Sequence, residues 1–570
     1  MTHPPPGRWQ PSRARWSGIA VCLSAGLLAG CEVDPRVAGP AGARPVSPSF
    51  TDATEESGLT FAHVGASEKR FTFPEIVGSG AAWIDHDGDG DLDLYLVQSG
   101  DIQTGAGLIG ANRLFVNDNG VFRDVTEETR AGDLGYGMGC AVGDYDADGD
   151  PDLYVTNLGR DTLYRNDDGI FTDVTDAAGT GDAGWGTSAA FLDYDQDGDL
   201  DLFVVNYVVW SSASEPRCTG TGGQREYCGP NSLAAPARDS LYRNDGDGTF
   251  TDVSIDAGLD TANGNGLGIA CADMNNDGWI DIYVANDGLP NQLWINQGDG
   301  TFRDEALLNG CAVSGEGVAE AGMGVAVADF DEDGFLDLFM THLTGETNTL
   351  YMGGASGAFR DRTVASGLAA GSRMATGFGV GVADFDLDGH LDIFVANGAV
   401  KRPERPLDAE HPYAEPEHLF RGLGNGEFED VSIASGVSAL PSGVSRGAAF
   451  ADYDNDGDID VVVIDNAGPA RLLRNTAPRA GAWIGFRVED ANGAEVPGAV
   501  VELTTSAGAQ SRVVGRAYSY CSSNDPRVHF GLPPGASIET LRVRWPGAIT
   551  ETFEARKPNA VHVLRRGTGQ

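Results

Sequence analysis

Asp85, Asp87, Asp89 and Asp93 stand at positions one, three, five and nine of a nine-residue stretch, with Gly90 at position six. Alternate side chains of a tightly curled loop converge on one point. Carboxylates that converge repel one another unless a hard cation sits between them. Calcium suits the arrangement best, because it accepts six to eight oxygens in a forgiving geometry. Gly90 falls where the chain must turn sharply, and a positive φ is expected there.

The loop occurs seven times. The second copy has Asp144, Asp146, Asp148 and Asp152, and the third has Asp193, Asp195, Asp197 and Asp201. The fourth has Asp273, Asn275, Asp277 and Asp281, the fifth Asp329, Asp331, Asp333 and Asp337. The sixth has Asp384, Asp386, Asp388 and Asp392, the seventh Asp452, Asp454, Asp456 and Asp460. Glycine holds position six throughout, and Asn275 alone departs from aspartate at the ligand positions. Up to seven Ca²⁺ are therefore expected, with the fourth loop the weakest because one ligand charge is missing. An EF-hand is excluded. It needs a glutamate at position twelve and flanking helices, whereas position twelve here is Leu96, Val155, Val204, Val284, Met340, Val395 or Val463. Each lies in an apolar, β-prone run, so the loops join strands.

These loops account for much of the chain's acidity. It has 570 residues, 38 Lys+Arg against 84 Asp+Glu, and a formal charge of −46. The remaining acid reads as a solvated surface. Nucleic acid and anionic membrane surfaces are excluded as partners by simple repulsion.

The elements that must position the loops follow from the repeat. Residues 48–475 hold four strand-like pieces per repeat: a Gly-rich strand entering the loop (Gly135–Gly143), an apolar strand leaving it, and a hairpin (Leu163–Thr175) around an Asn/Asp/Gly turn. Four strands per repeat predict a seven-bladed β-propeller, with the Gly-rich strands innermost, where blades crowd the axis. The last repeat has only the first hairpin strand, Leu472–Asn475. Ser49–Thr54 matches its missing partner and is expected to complete that blade. Residues 476–570 alternate apolar and polar, as in Val501–Thr504 and Thr540–Trp545, and predict a second, small all-β domain.

Residues 1–30 read as an export signal, with Arg8, Arg13 and Arg15 before a short apolar core. Leu28-Ala29-Gly30-Cys31 resembles a bacterial lipobox, which implies lipidation at Cys31. Residues 31–47 are a Pro-containing tether. The expected location is the cell envelope, periplasmic or surface-exposed, with membrane contact only through Cys31. In an exported chain, Cys218 and Cys228 of the insertion Tyr207–Arg238 are expected to form a disulfide. Cys140 and Cys271 read as buried thiols of inner strands, and Cys311 and Cys521 have no evident partner.

The loops resemble FG-GAP/VCBS repeats of integrin-α-like propellers. The whole pattern resembles the cartilage acidic protein family, a propeller followed by an ASPIC/UnbV domain. The residues that carry this are Tyr227-Cys228-Gly229-Pro230, Ala321-Gly322-Met323-Gly324-Val325, Asn348-Thr349-Leu350-Tyr351, Ser523 to Leu532, and Val543-Arg544-Trp545-Pro546. The resemblance implies calcium binding and an extracytoplasmic role in adhesion or recognition, and it supplies no ligand. The preferred reading is a binding protein displayed on the cell envelope, its expected ligand a protein or a glycan. Two alternatives stand beside it: a structural scaffold subunit of an envelope assembly, and a propeller-based lyase or hydrolase. For the latter the candidates are His63, His342, Glu316, Glu320 and Glu346, read as solvated loop residues or strand-end hydrogen bonds. They form no nucleophile–His–acid set, so no enzyme is expected.

Overall fold

The computed structural model describes residues 49–65, 70–100, 102, 110–220, 223–479 and 481–570. The export signal, the lipobox Cys31 and the 31–47 tether lie outside the described residues.

Between residues 50 and 475 the described chain forms seven four-stranded antiparallel sheets and a two-stranded ribbon. The second sheet is typical: Gly137–Gly143, Asp152–Asn157, Thr162–Asp167 and Ile170–Asp173, in chain order. The strand leaving each loop is buried along its whole length. That explains its continuous apolar run, since a sheet covered on both faces has no solvent side to make polar. Core clusters lie between neighbouring sheets: Ile84, Tyr95 and Val97 of the first pack with Cys140, Val142 and Leu153 of the second. The sheets do not merge into one closed sheet. Their innermost strands pack side by side in chain order, and that of the seventh returns to that of the first. The seventh sheet takes its outer strand from the N-terminal side. Phe50–Asp52 pairs antiparallel with Ala470–Asn475, Phe50 opposite Asn475 and Asp52 opposite Leu473. Short helices absent from the sequence reading, such as Thr175–Ala178 and Ala306–Asn309, follow the outer strands.

Residues 482–565 form two further sheets. Val528–Leu532, Ala482–Glu489 and Val561–Arg565 make one, and Ala509–Val513, Val500–Thr505, Ile538–Trp545 and Ile549–Phe553 the other. Ile484, Phe486, Leu503, Phe530, Leu541 and Trp545 are buried between them.

Between these sheets the chain leaves the second domain and enters the axis of the first. Ser523 N–H donates to Ala81 O at 2.9 Å and Ser523 O accepts from Trp83 N–H at 3.0 Å, both in the first sheet. Cys521 O accepts from Cys140 N–H of the second, and Cys521 N–H donates to Ser188 Oγ of the third. Ser519 bonds Val325 of the fifth through its backbone, and its hydroxyl donates to Ala448 O of the seventh. Tyr520 reaches the far end, where its hydroxyl donates to Val77 O at 2.9 Å. There it packs among Met138, Trp185, Leu267, Met323 and Phe378, contributed by successive repeats. The Gly-rich inner strands thus leave room for this axial segment as well as for one another. A Cβ on Gly80 would fall 1.7 Å from Cys521 O, and one on Gly139 would fall 3.0 Å from Cys521 Cα.

Gly80→Ala should therefore unseat the axial segment while leaving the sheets their own hydrogen bonds. The expected cost is about 3 kcal/mol, the upper range for an overpacked core. It would be seen as a lower melting temperature and faster proteolysis after residue 475. A variant that melts with wild type would show that the axis does not hold the segment as tightly as its hydrogen bonds imply.

Candidate metal centres

Each loop leaves an innermost strand and curls through two left-handed residues. Position six has φ of 96° at Gly90, 103° at Gly149 and 101° at Gly198, as the sequence required. Position four is left-handed too, and there the residue is often not glycine: Ala147, Gln196, Asn276, Glu332, Leu387 and Asn455 have φ of 55–61°. No sequence signal marked this, because side-chain type does not report the conformation. The curl brings position one under the backbone. Asp144 accepts the N–H groups of Asp148 and Gly149 at 3.1 and 3.0 Å, and Asp273, Asp329, Asp384 and Asp452 repeat the pattern.

Position nine is buried in every loop. One oxygen of Asp152 accepts Tyr145 N–H at position two of its own loop, and the other accepts Asn166 N–H of the third strand. Asp93, Asp201, Asp281, Asp337 and Asp392 make the same pair of bonds. Burial raises the pKa of these groups, and neighbouring loop carboxylates add to it against the backbone bonds. Asp152 and Asp337 are pushed up to about 8, and Asp201 to about 9.

Position three tests whether a cation fits. One carboxylate oxygen each of Asp146, Asp195, Asp331 and Asp454, and both of Asp386, are buried and have no hydrogen-bond partner. A buried acceptor left bare is costly, and five loops repeat it at one position. Carboxylate oxygens of Asp85, Asp87 and Asp89 lie within 4.8 Å of one another, as do those of Asp144, Asp146 and Asp152, of Asp193, Asp195 and Asp197, and of Asp329, Asp331 and Asp333. Convergent, buried, unpartnered oxygens fit a hard, oxygen-seeking cation. In the first loop His86 at position two also bonds Asp93. Burial opposes charge on the ring, but Asp93, Asp87 and Asp85 together hold its pKa above the ordinary value.

The second domain rests on the loop end of the sheets, a role the sequence reading did not assign. Ser511 donates to Asp329 at 3.1 Å, Arg487 lies 3.5 Å from Asp85, Arg544 3.3 Å from Asp273, and Arg479 3.2 Å from Asp456. Arg527 donates to Asp452 O at 2.7 Å. Between the first two loops and this domain a cavity of about 340 Å³ remains, bordered by Asp85, Asp144, Arg487, Glu495, Arg516 and Cys271. Cys271 is thus half-buried beside a cavity, where the sequence suggested a buried thiol. Cys140, Cys311 and Cys521 are buried and free, and Cys218 is joined to Cys228 in a disulfide.

Of the residues weighed as catalytic, Glu316, Glu320 and Glu346 lie together: burial, with Glu346 and Glu316 adding to it, pushes Glu320 up to about 7. His63 and His342 are buried, not solvated, because each lies under the ends of neighbouring sheets. The His63 ring bonds Ser99 Oγ at 3.0 Å and accepts Ala467 N–H at 3.1 Å. His342 occupies the strand-end place of Asn157, Asn206, Asn286 and Asn397, and burial lowers its pKa to about 4. Glu320 accepts from Thr349 at 3.1 Å, Glu346 caps Ala321 N–H at 3.0 Å, and Glu316 is exposed.

Repeated acid loops between propeller strands, with a β domain seated on them, define the class of protein, and the comparisons agree. The FG-GAP-like repeat family matches residues 85–155, 144–204, 232–284, 273–340, 329–395 and 414–463, and the ASPIC and UnbV family matches 490–570. The chain belongs to the FG-GAP-like repeat family and carries an ASPIC and UnbV domain. Cartilage acidic protein 1 of Xenopus tropicalis is 30% identical over 305 residues, 52% of this chain and 44% of that protein. The Mus musculus protein is 27% identical over 58% of this chain and 50% of its own length. The chain thus spans about half the length of the curated relatives it matches. Among solved structures, the Agrocybe aegerita lectin studied for recognition of non-reducing terminal N-acetylglucosamine aligns at TM-score 0.35 and 16% identity, covering 70% of this chain and 94% of that one. Rhamnogalacturonan lyase YesW aligns at 0.37 and 14%, covering 76% of each.

The loop carboxylates set a pH dependence. An unfolded Asp titrates near pH 3.9, roughly, while Asp152, Asp201 and Asp337 in the folded, metal-free chain titrate near 8 to 9. Between these limits the folded state holds more protons than the unfolded one, so its stability falls as pH rises. Chelated protein should therefore melt at a higher temperature at pH 5 than at pH 8. Excess calcium should raise the pH 8 value more, because protons and the cation compete for the same oxygens. A chelated melting temperature that climbs from pH 5 to pH 8 would contradict this.

Proposed function

We propose that this is an exported recognition or adhesion protein whose propeller is stiffened by calcium in its loops and held at the cell envelope by lipid on Cys31. The observation that carries calcium is the row of buried, unpartnered oxygens at Asp146, Asp195, Asp331, Asp386 and Asp454. In this reading calcium is structural. It binds the folded loop and joins strands that burial alone would leave around repelling charges. The anchor rests on the Leu28–Cys31 sequence.

The recognition surface, in the same reading, is the end of the sheets away from the loops. The loop end carries the second domain, and the axis carries Tyr520 and its neighbours. At the other end stand the long connections after the second strands. One of these includes the Cys218–Cys228 disulfide, and its Tyr227 ring lies 6.1 Å from Tyr413 of another. Aromatic rings held on clipped loops suit a protein or glycan ligand.

Chelation should lower the melting temperature substantially at neutral pH. Each site filled at a hundredfold its Kd contributes about 2.7 kcal/mol. A glycan and envelope-protein array probed with the chain, with calcium and with chelator, tests recognition. Calcium-dependent capture of one ligand class, lost on substituting Tyr227 and Tyr413, is the expected result. An unchanged melting temperature in chelator would sink the calcium reading, and an array without hits in either condition would sink recognition.

A further inference from the structure

The fourth loop differs from the second, third, fifth, sixth and seventh at the position that best indicates a cation. In those loops position three is an aspartate with at least one buried, bare oxygen, and in the first loop, where Asp87 is exposed, position three is still a carboxylate that converges with Asp85 and Asp89. At Asn275, Oδ1 accepts Asp277 N–H at 2.9 Å and Nδ2 donates to Asp277 Oδ2 at 2.9 Å. The position offers a donor where the other loops offer an acceptor, and an N–H group repels a cation. Turning the amide over would set its NH₂ against the Asp277 N–H, donor against donor. None of Asp273, Asn275, Asp277 and Asp281 has a buried atom without a partner.

A charge is already present there. Arg544, on the strand Ile538–Trp545, places Nη1 3.3 Å from Asp273 Oδ2, whose side chain is 9% exposed. The turn that follows closes over the loop: Gly547 N–H donates to Gly278 O at 2.9 Å, and Gln196 Nε2 of the third loop donates to the same oxygen at 2.7 Å. Arg544 also lies 4.0 Å from Glu502, whose side chain is 41% exposed to solvent; within the loop, three carboxylates and one guanidinium leave two net negative charges, as four carboxylates and one Ca²⁺ do. Arg487 beside Asp85 and Arg479 beside Asp456 do not create this balance, because the first and seventh loops keep all four carboxylates.

We propose that the fourth loop binds no metal and that Arg544 of the C-terminal domain takes calcium's place there, making this loop the clasp by which that domain is held. The inference rests on the reading that the other loops bind calcium. It replaces the expectation of a merely weak fourth site.

Calcium counted on the full chain by equilibrium dialysis tests this. Asp277→Asn should leave the wild-type count unchanged, because the fourth loop has no ion to lose. The Asn275→Asp/Arg544→Gln double variant should bind one calcium more than wild type, and adding Asp277→Asn should remove the gain. A wild-type count that falls by one on Asp277→Asn would show metal in the fourth loop and overturn the inference, whatever the double variant does. A folded double variant without the extra ion would also overturn it. Calcium on the chain together with a count that falls on Asp277→Asn defeats only this inference, whereas no calcium on the chain defeats the proposed function and this inference with it.

Discussion

The buried aspartate at position nine is the constraint on which the rest of the chain depends. Its carboxylate cannot reach water, so its oxygens take donors within the fold; Oδ2 of Asp460 in the seventh loop is the exception, buried without a partner. Elsewhere the two oxygens take one N–H from the loop and one from the third strand, which fixes the loop against its own sheet. The third-strand residue is often asparagine, and its amide extends the lattice sideways. Asn166 Nδ2 donates to His86 O of the preceding repeat, Asn244 to Tyr145 O, Asn296 to Tyr194 O and Asn475 to Phe385 O. Asn117 of the first repeat donates to Tyr453 O of the last at 2.8 Å, across 336 residues of sequence. The same small device therefore sets the loop, the sheet and the return of the last repeat to the first. Repeats five and six carry Gly353 and Gly422 at this place. There a Cβ would come within 2.1 Å of Leu336 O and Leu391 O of the same repeats, and the sixth repeat reaches the preceding one through Gly426 N–H, which donates to Phe330 O at 3.2 Å.

Much of this was legible in the sequence because it is periodic. Seven loops in fixed order, each followed by an apolar run and a turn-centred hairpin, specify strands, and the match between Phe50–Asp52 and the other outer strands specifies how the last sheet is completed. The regularity of the 28 expected ligand positions was as clear in Asp85 to Asp93 as in Asp452 to Asp460, and in the first, second, third and fifth loops the structure brings three of those carboxylates within 4.8 Å of one another. What stayed hidden was aperiodic. Tyr520 and Cys521 occur once, and nothing local in Ser519–Asn524 says that the segment leaves its own domain. Arg544 reads as one polar residue of an alternating strand until the loop beneath it is seen. His342 looked like a loop residue because burial at a strand end depends on the neighbouring repeat and not on its own.

The axial segment changes what the ring can do. Propeller blades ordinarily surround a central channel. Here hydrogen bonds of Ser519, Cys521 and Ser523 reach six sheets, and Tyr520 seals the far end beneath Val77. Separating two repeats would break bonds to a third element as well as to each other, so opening the ring becomes more cooperative than in a plain repeat array.

The loops are consequently enclosed on two sides, by the sheets that carry them and by the domain that rests on them. A cation in such a place acts on both at once. It would remove repulsion within the loop that holds it, and it would steady the surface that Ser511 and Arg527 grip. Arginines near the loops act in the same direction as the cation but through a different connection, because they are covalently part of the domain they hold. The guanidiniums tie the second domain to the repeats; the proposed calcium would stiffen the repeats themselves. A chain with so large an excess of acid can stay compact only where its carboxylates have partners, and this fold supplies such partners from backbone amides and from arginines across the interface.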